Sequence, residues 1–246
     1  MNNKFSLFKD GFEKRKLDKS GLTQLKKIKN KVKKIAGKKL NILNPKIENI
    51  HNLKIKENFN DFRLDIIKKI NNTPMIKEDL FNIFKKDLVK LFGEDIAVQK
   101  NINLAIQRPK DIDRASMHAD APSNSLFEIV IWLPLVDCEK TMNMFFFKIN
   151  KTKKARKFLL SKKLNNPDEF AKKNGYNPKK IKFGEYIIFW TKVYHYVPIN
   201  NENKTRWSLN FRYKNLFSPY SQKGYLDFFE PINYSKLTNL ILSNDD

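Results

Sequence analysis

Two histidines and one aspartate are the residues of this sequence best suited to bind a metal ion. The chain has three histidines, and two of them, His118 and His195, lie among strand-like segments. Asp120 follows His118 by two positions, and a strand places such residues on one face. With His195 from a distant strand, they would form a set of two imidazoles and one carboxylate. Such a set suits Fe(II) and leaves coordination positions open.

Each member of this set also has a purely structural interpretation. A short His-x-Asp pattern matches many unrelated chains by chance, and its aspartate can simply cap a turn beside an exposed histidine. His195 lies between Tyr194 and Tyr196. It therefore also fits a buried histidine that donates to a backbone carbonyl. The segment after His195 favours the metal-binding interpretation.

That segment, TRWSLNFRY, alternates polar and apolar residues. As a strand it has one polar face, which consists of Arg206, Ser208, Asn210 and Arg212. The opposite face consists of Trp207, Leu209, Phe211 and Tyr213. Burying each polar residue without a partner would cost about 1–3 kcal/mol, so the polar face needs a polar cavity or an exposed edge. A guanidinium beside a hydroxyl is a good receptor for a carboxylate.

Candidates for substrate contacts are less specific. Gln107 lies on the strand-like segment before the His-x-Asp pair, and Asn210 and Arg212 continue the polar face. Arg212 fits either an anionic group of a substrate or a pair with an acidic residue. Trp132 and Trp190 are more often core residues, although indole rings also stack on sugars.

Taken together, these residues resemble the signature of the 2-oxoglutarate oxygenases, which have a His-x-Asp pair, a distal histidine and an arginine shortly beyond it. The Gly184-Glu185 step before IIFW resembles the phytanoyl-CoA hydroxylase-like branch. More narrowly, HADAPSNSLFEIVIWLPLVDCEKTMNMFFF and RWSLNFRYKNLFSPY are similar to oxygenases found sporadically in bacterial surface-carbohydrate clusters. The resemblance covers about residues 100–220. The lysine-rich surface is not a feature that the family requires.

The resemblance implies a double-stranded β-helix, or jelly-roll, of cupin type with iron near its mouth. His118, Asp120 and His195 would be the metal ligands. Arg206 would pair with the C5 carboxylate of 2-oxoglutarate, and Ser208 would add a hydrogen bond. The implied cofactors are Fe(II), 2-oxoglutarate and dioxygen. The implied reaction is the hydroxylation or other oxidation of a small molecule, such as a sugar or nucleotide sugar of bacterial surface polysaccharide biosynthesis.

The residues before this region predict helices. In residues 1–94, apolar residues recur at helical spacing. The pattern predicts three helices, over about residues 22–35, 61–71 and 80–92. Gly37 and Gly93 are placed to end the first and third of them. We expect these helices to pack against the strands.

From residue 95 to 220 short strand-like segments alternate with turn residues. A helical insertion is predicted at about 152–176, where Pro167 suits a first helical turn and Gly175 a helix end. No glycine- or serine-rich linker divides the chain. The sequence therefore predicts one α+β oxygenase domain over residues 1–246. It consists of the helical part, a jelly-roll core over 95–220 and a C-terminal extension over 221–246.

The net charge of +23 invites a nucleic-acid or membrane interpretation. Most of the excess is lysine, accompanied by abundant asparagine and isoleucine, which is the composition an AT-rich genome imposes. Arginine is scarce and no nucleic-acid-binding motif is present, so we expect no specific nucleic-acid partner. The lysines around the 22–35 helix fit a solvent-exposed face or a contact with an anionic surface.

One cysteine, Cys138, excludes a disulfide framework. Without a signal-like or membrane-spanning segment, a cytoplasmic location is expected.

Two other functions stay open on the sequence alone. A metal-dependent cupin-type enzyme would use the three metal ligands without 2-oxoglutarate. Such an enzyme would not need the carboxylate receptor at Arg206 and Ser208. A non-catalytic basic protein that binds nucleic acid or a membrane would need clustered charge, whereas the lysines are spread along the chain. A small-molecule substrate is therefore the expected partner.

Overall fold

A computed structural model describes residues 6–55, 57–112, 115–161 and 167–243. The helices in these ranges are α1 (Leu7–Asp10), α2 (Lys19–Leu40), α3 (Phe59–Asn71), α4 (Ile76–Phe92), α5 (Thr152–Leu160), α6 (Pro167–Asn174) and α7 (Lys236–Leu242). The strands are β1 (Phe12–Lys16), β2 (Ile96–Gln99), β3 (Asn103–Gln107), β4 (Glu128–Pro134), β5 (Cys138–Glu139), β6 (Phe145–Phe146), β7 (Lys180–Ile181), β8 (Glu185–Trp190), β9 (His195–Tyr196), β10 (Arg206–Asn215) and β11 (Phe229–Asn233). The mixture of helices with antiparallel strands confirms the predicted α+β class.

The three predicted N-terminal helices are present as α2, α3 and α4. Asp18 caps α2 because its side chain accepts a hydrogen bond from the Gly21 backbone N–H at 2.7 Å. The predicted end of α2 at Gly37 is wrong, since the helix continues to Leu40. Gly37 instead allows a close approach, because a Cβ there would lie 2.5 Å from the backbone oxygen of Ile42.

The strands form one large antiparallel sheet with the order β1-β8-β4-β10-β2-β11, and β3 also pairs with β10. Two short strand pairs, β5 with β7 and β6 with β9, lie outside it. The apolar segments MNMFFFKI and VYHYVPI contain only the two-residue strands β6 and β9. Isolated bridges extend the β6–β9 pair, where Phe146 of β6 pairs with Tyr176 and His195 of β9 pairs with His118.

β10 has the two faces that its alternation predicts. The apolar face packs against the N-terminal helices, where the rings of Phe211 and Phe84 are 5.9 Å apart. The indole N–H of Trp207 donates to the Ile47 carbonyl at 2.7 Å. The N-terminal helices therefore cover one side of the large sheet, and the polar face of β10 is turned to the other side.

The helical insertion is formed by α5 and α6, within the predicted range 152–176. Residues 162–166 of the predicted insertion fall outside the described residues. The rings of Phe158 and Phe170 stack at 4.0 Å and join the two helices. The Tyr196 hydroxyl donates to Asp168 at 2.7 Å, so the insertion is also tied to β9.

The large sheet extends beyond the range 95–220 predicted for the core. β1 pairs with β8, and β11 of the predicted C-terminal extension pairs with β2. Neither strand has a clear apolar alternation, because FEKRK is mostly charged and FEPIN contains Pro231. Edge strands tolerate such residues. None of the helices in the described ranges has the length and apolar character of a membrane span.

Candidate metal centre

His118, Asp120 and His195 converge, with one ligand atom from each within 4.8 Å of the others. The two histidines are joined by backbone hydrogen bonds of 3.0 and 2.8 Å. Their imidazole rings are 4.3 Å apart. The regular strand expected to carry His118 and Asp120 is reduced to this single bridge, and Asp120 lies in the bend that follows. The aspartate is therefore positioned by a turn, and not by strand alternation.

Both imidazoles are oriented by the backbone beside them. The His118 Nδ1 lies 2.7 Å from the Ser116 carbonyl oxygen, and the His195 Nδ1 lies 3.1 Å from the Val193 oxygen. A ring nitrogen that donates to a carbonyl fixes the tautomer, so the lone pair is on Nε2. Each histidine can thus offer Nε2 to an ion.

The electrostatics suit a metal ligand set. Burial lowers the pKa of His195 to about 4, so its imidazole is neutral near pH 7. A hydrogen bond to Asp120 raises the pKa of His118 above its ordinary value despite partial burial. Burial alone would raise the pKa of Asp120, but the His118 hydrogen bond and the positive charge of Arg212 hold it well below its usual range. The carboxylate is therefore ionised.

The loop that carries Asp120 is anchored at its far end. The Asn124 backbone N–H donates to the Asp120 carbonyl at 3.0 Å. The Asn124 side chain in turn donates to the buried carboxylate of Glu128 at 2.7 Å. The Ser221 hydroxyl donates to the Pro122 carbonyl at 2.6 Å. Residues beyond β10 therefore hold the Asp120 loop in place.

A buried lysine stabilises those residues. Lys214, at the end of β10, donates to the Ser218 and Pro219 carbonyls, each at 2.9 Å. Its ammonium lies 3.2 Å from the centre of the Tyr220 ring, a cation–π contact. Burial lowers the pKa of Lys214 to about 8.

Arg212 pairs with the carboxylate of Asp120. Its Nη2 lies 2.9 Å from Asp120 Oδ2, and its Nη1 donates to Gln99 Oε1 at 2.9 Å. The structure thus favours the acidic-partner interpretation of Arg212 over a direct substrate contact. Gln99 is not among the site residues predicted from the sequence. The available signal was a single amide at the end of β2, whose residues are all buried.

A cavity of about 360 Å³ opens beside the three metal-binding candidates. Its walls include the whole polar face of β10, together with Gln107, Asn103 and Trp132. Arg63 and Ile67 of α3 also line it, so the N-terminal helices reach the site. Trp190 is not among the lining residues, and its indole N–H donates to the Leu126 carbonyl at 2.6 Å. The structure therefore brings together all of the predicted site residues except this second tryptophan.

Several polar atoms in the cavity have no hydrogen-bond partner within the described residues. They are Gln107 Oε1, Arg206 Nε, Ser208 Oγ, Asn210 Oδ1 and Arg212 Nε. Buried polar groups are nearly always paired in folded proteins, and each unpaired group costs about 1–3 kcal/mol. Their concentration in one cavity indicates a polar ligand there.

Arg206 is the strongest case. It is only 4% exposed, and burial lowers its pKa to about 10. Its Nη1 donates to the Met142 carbonyl at 3.2 Å. No carboxylate within ion-pair distance of Arg206 is found in the part of the chain that the structure describes. A buried guanidinium without a counter-ion is costly, so this end of the cavity is suited to bind an anion.

No protein-family model matches the sequence, and no curated protein matches it. Solved structures do match. The non-heme alpha ketoglutarate dependent carbocyclase SnoK from nogalamycin biosynthesis is 11% identical with a TM-score of 0.54, over 88% of this chain and 84% of SnoK. The apo form of the non-heme monooxygenase ThoJ is 14% identical with a TM-score of 0.51, over 94% of this chain and 83% of ThoJ. The chain therefore shares the fold of these non-heme enzymes.

Proposed function

We propose that this protein is an Fe(II)- and 2-oxoglutarate-dependent oxygenase. The observation that carries the proposal is the buried Arg206 guanidinium, which has no anionic partner among the described residues and lies in the same cavity as His118, Asp120 and His195. A metal set alone fits many enzymes. A metal set with a carboxylate receptor fits a cosubstrate that binds at both places.

The residues present suit Fe(II). Two imidazole Nε2 atoms and one carboxylate oxygen form a ligand set of the kind that binds Fe(II) and leaves coordination positions open. Arg212 occupies the second oxygen of Asp120, which favours a single oxygen toward the metal. His118 and His195 are held by backbone carbonyls, so little reorganisation is needed on binding. Three positions would then face the cavity.

The residues of β10 suit 2-oxoglutarate. Arg206 would pair with its C5 carboxylate, and the Ser208 hydroxyl would donate to the same group. Because the pair would be shielded from water, it would be stronger than at the surface. Together with bound Fe(II), 2-oxoglutarate supplies the activation of dioxygen that oxidises a substrate C–H bond. The contribution of the chain is to orient these partners and to keep water out of the cavity.

The finer fold assignment is a double-stranded β-helix, or jelly-roll, of cupin type. In support, the β6–β9 pair and the His118–His195 bridge form a second layer across from the polar face of β10. The side chains of His118, Asp120 and His195 line the same cavity as the polar face of β10. The shared fold with SnoK and ThoJ also supports this assignment.

The proposed substrate is a small molecule. A cavity of about 360 Å³ lies at the small end of the range typical for ligand pockets. The Trp132 ring and the unpaired Asn210 oxygen line it, and they suit a polar ring with hydroxyl groups. A sugar or nucleotide sugar of bacterial surface polysaccharide biosynthesis is the narrower proposal. It rests on the resemblance of the two long sequence segments.

The first experiment is an anaerobic titration of the purified protein with Fe(II) and then with 2-oxoglutarate. We expect a weak visible charge-transfer absorption on addition of 2-oxoglutarate, which reports chelation of the metal. The absorption should disappear in His195→Ala and in Arg206→Met. Arg156→Met, a change of an exposed arginine on α5, is the matched control and should leave it intact.

Each other outcome points to a different function. If the metal binds and 2-oxoglutarate leaves the spectrum unchanged, the protein is a cupin-type metal enzyme. If neither binds, the metal-centre proposal is wrong, and the basic surface becomes the guide to function. Binding of 2-oxoglutarate that is unaffected in Arg206→Met would reject the assigned receptor while keeping the metal site.

A further inference from the structure

The turn that follows α2 presents two apolar side chains to solvent. This turn, residues 41–45, is called here the α2 turn. Leu43 is 99% exposed and Ile42 is 37% exposed. Scattered exposed apolar residues are common, so exposure alone indicates nothing. The rigidity and the charge of the α2 turn distinguish it from such residues.

The α2 turn is fixed by its backbone. Asn41 and Asn44 both have a φ of 55°, in the left-handed region. The Ile42 backbone N–H donates to the Gly37 carbonyl at 2.9 Å. Pro45 is buried and packs over Gly37, where a Cβ would lie 3.0 Å from its ring. The exposed position of Leu43 is therefore part of a defined turn and not a frayed helix end.

The surface around the α2 turn is cationic. Lys34 and Lys38 line the same groove as Ile42 and Leu43, and no acidic residue lines it. Lys46, immediately after the turn, is also exposed. These three lysines form no ion pair within the described ranges. The neighbouring Lys39 differs from them, because it pairs with Glu57 and Asp65.

We propose that the α2 turn docks on an anionic lipid surface, with Leu43 inserted among the lipids and Lys34, Lys38 and Lys46 at the phosphate level. An apolar side chain ringed by lysines matches a membrane interface, which is apolar below and anionic above. A net charge of +23 adds long-range attraction to such a surface. This inference is independent of the metal centre.

The same observations fit nucleic acid less well. A phosphate backbone offers no place to bury a leucine. The α2 turn also lacks the arginine and aromatic side chains with which proteins contact phosphates and bases. A substitution of Leu43 therefore distinguishes an anionic lipid surface from nucleic acid, since Leu43 should contribute to lipid binding and not to nucleic-acid binding.

The test is co-sedimentation of the full chain with vesicles. One set contains phosphatidylcholine alone and the other contains phosphatidylcholine and phosphatidylserine. We expect binding only to the second set. Leu43→Asn should weaken it about tenfold, because burying a leucine contributes roughly that factor. Lys34→Gln with Lys38→Gln should weaken it further, by about fivefold per lysine.

Matched controls distinguish the contribution of the α2 turn from that of exposed charges and apolar side chains elsewhere on the surface. Leu237→Asn removes a 66% exposed leucine on α7, and Lys172→Gln with Lys173→Gln removes two exposed charges on α6. Both controls should bind vesicles as the wild type does. Absence of binding, or binding that Leu43→Asn leaves unchanged, would overturn the proposal. Binding to duplex DNA that depends on the lysines but not on Leu43 would do so too.

Discussion

Arg212 and Asp120 form a buried ion pair, with 2.9 Å between Nη2 and Oδ2. The other oxygen of Asp120, Oδ1, lies 3.6 Å from His118 Nε2. One carboxylate oxygen is thus engaged by the arginine while the second faces the histidines. Gln99 accepts a hydrogen bond from the other side of the guanidinium. Gln99 therefore helps to orient Arg212, and Arg212 in turn orients Asp120, the proposed metal ligand.

The pair predicts that Arg212 controls metal affinity without touching the metal. Arg212→Lys keeps the charge but loses the planar fork that contacts Asp120 and Gln99 together. Loss of such a supporting contact typically weakens metal binding by about 10–100-fold. We therefore expect the dissociation constant for Mn(II), measured by equilibrium titration, to rise by about tenfold or more. Arg156→Lys on α5 is the control, and an equal affinity in both variants would reject this role.

Arg206 is predicted to separate cosubstrate binding from metal binding. Arg206→Met removes the charged group of the proposed carboxylate receptor but none of the metal-binding candidates. The dissociation constant for 2-oxoglutarate should rise by about 100-fold, the usual scale for a buried charge pair. Metal affinity should change little. Titration calorimetry under anaerobic conditions gives both constants, and a parallel loss of both would contradict the separation.

Two substitutions at Asp120 should differ in stability but not in activity. Asp120→Asn keeps a polar partner for Arg212, whereas Asp120→Ala leaves its guanidinium buried and unpaired. Breaking a buried pair costs about 3–5 kcal/mol, so Asp120→Ala should be the less stable variant in chemical denaturation. Turnover of 2-oxoglutarate should be lost in both. Substantial turnover in either variant would exclude Asp120 as a metal ligand.

Lys214 predicts a pH dependence of stability. Burial lowers its pKa to about 8 in the folded chain, below the ordinary value of about 10.4 expected when unfolded. Between these values the unfolded chain binds more protons, so this group makes the free energy of unfolding rise with pH. Relative to Lys214→Met, the wild type should gain up to about 2 kcal/mol between about pH 8 and pH 10.

Denaturant unfolding of both proteins across this pH range isolates the contribution of Lys214, because all other titrating groups are shared. A constant difference between the two proteins would show that the lysine titrates normally. The effect should be absent below about pH 7, where Lys214 is charged in both states.

Much of the site was predictable because β10 obeys a simple rule. Alternation along TRWSLNFRY separates cavity residues from core residues, and the structure places them as expected. Nothing comparable identifies Gln99, which contacts Arg212 from a different strand. The partners of Arg212 depend on the pairing of β10 with β2 and β4. Local sequence patterns do not predict which distant segments pair.

The helices were also predictable from their spacing, whereas the edge strands were not. β1 and β11 are short. β1 is mostly charged and β11 contains a proline, so both are defined by their hydrogen bonds to β8 and β2. The position of Asp120 was expected from strand geometry, but the chain leaves the bridge after His118 and turns. The residue types therefore predicted the correct cluster, although the strand geometry from which it was predicted is not what positions Asp120.

The central place of β10 has a consequence for how the protein moves. β10 is hydrogen-bonded to β4 on one side and to β3 and β2 on the other. Amide protons of such a strand exchange with solvent only when the whole chain opens, and not through local fraying. Deuterium uptake at residues 206–214 should therefore follow global unfolding. Arg206 and Ser208, the proposed carboxylate receptor, lie on this strand, so we expect ligand entry and exit to depend on movement of the elements around it.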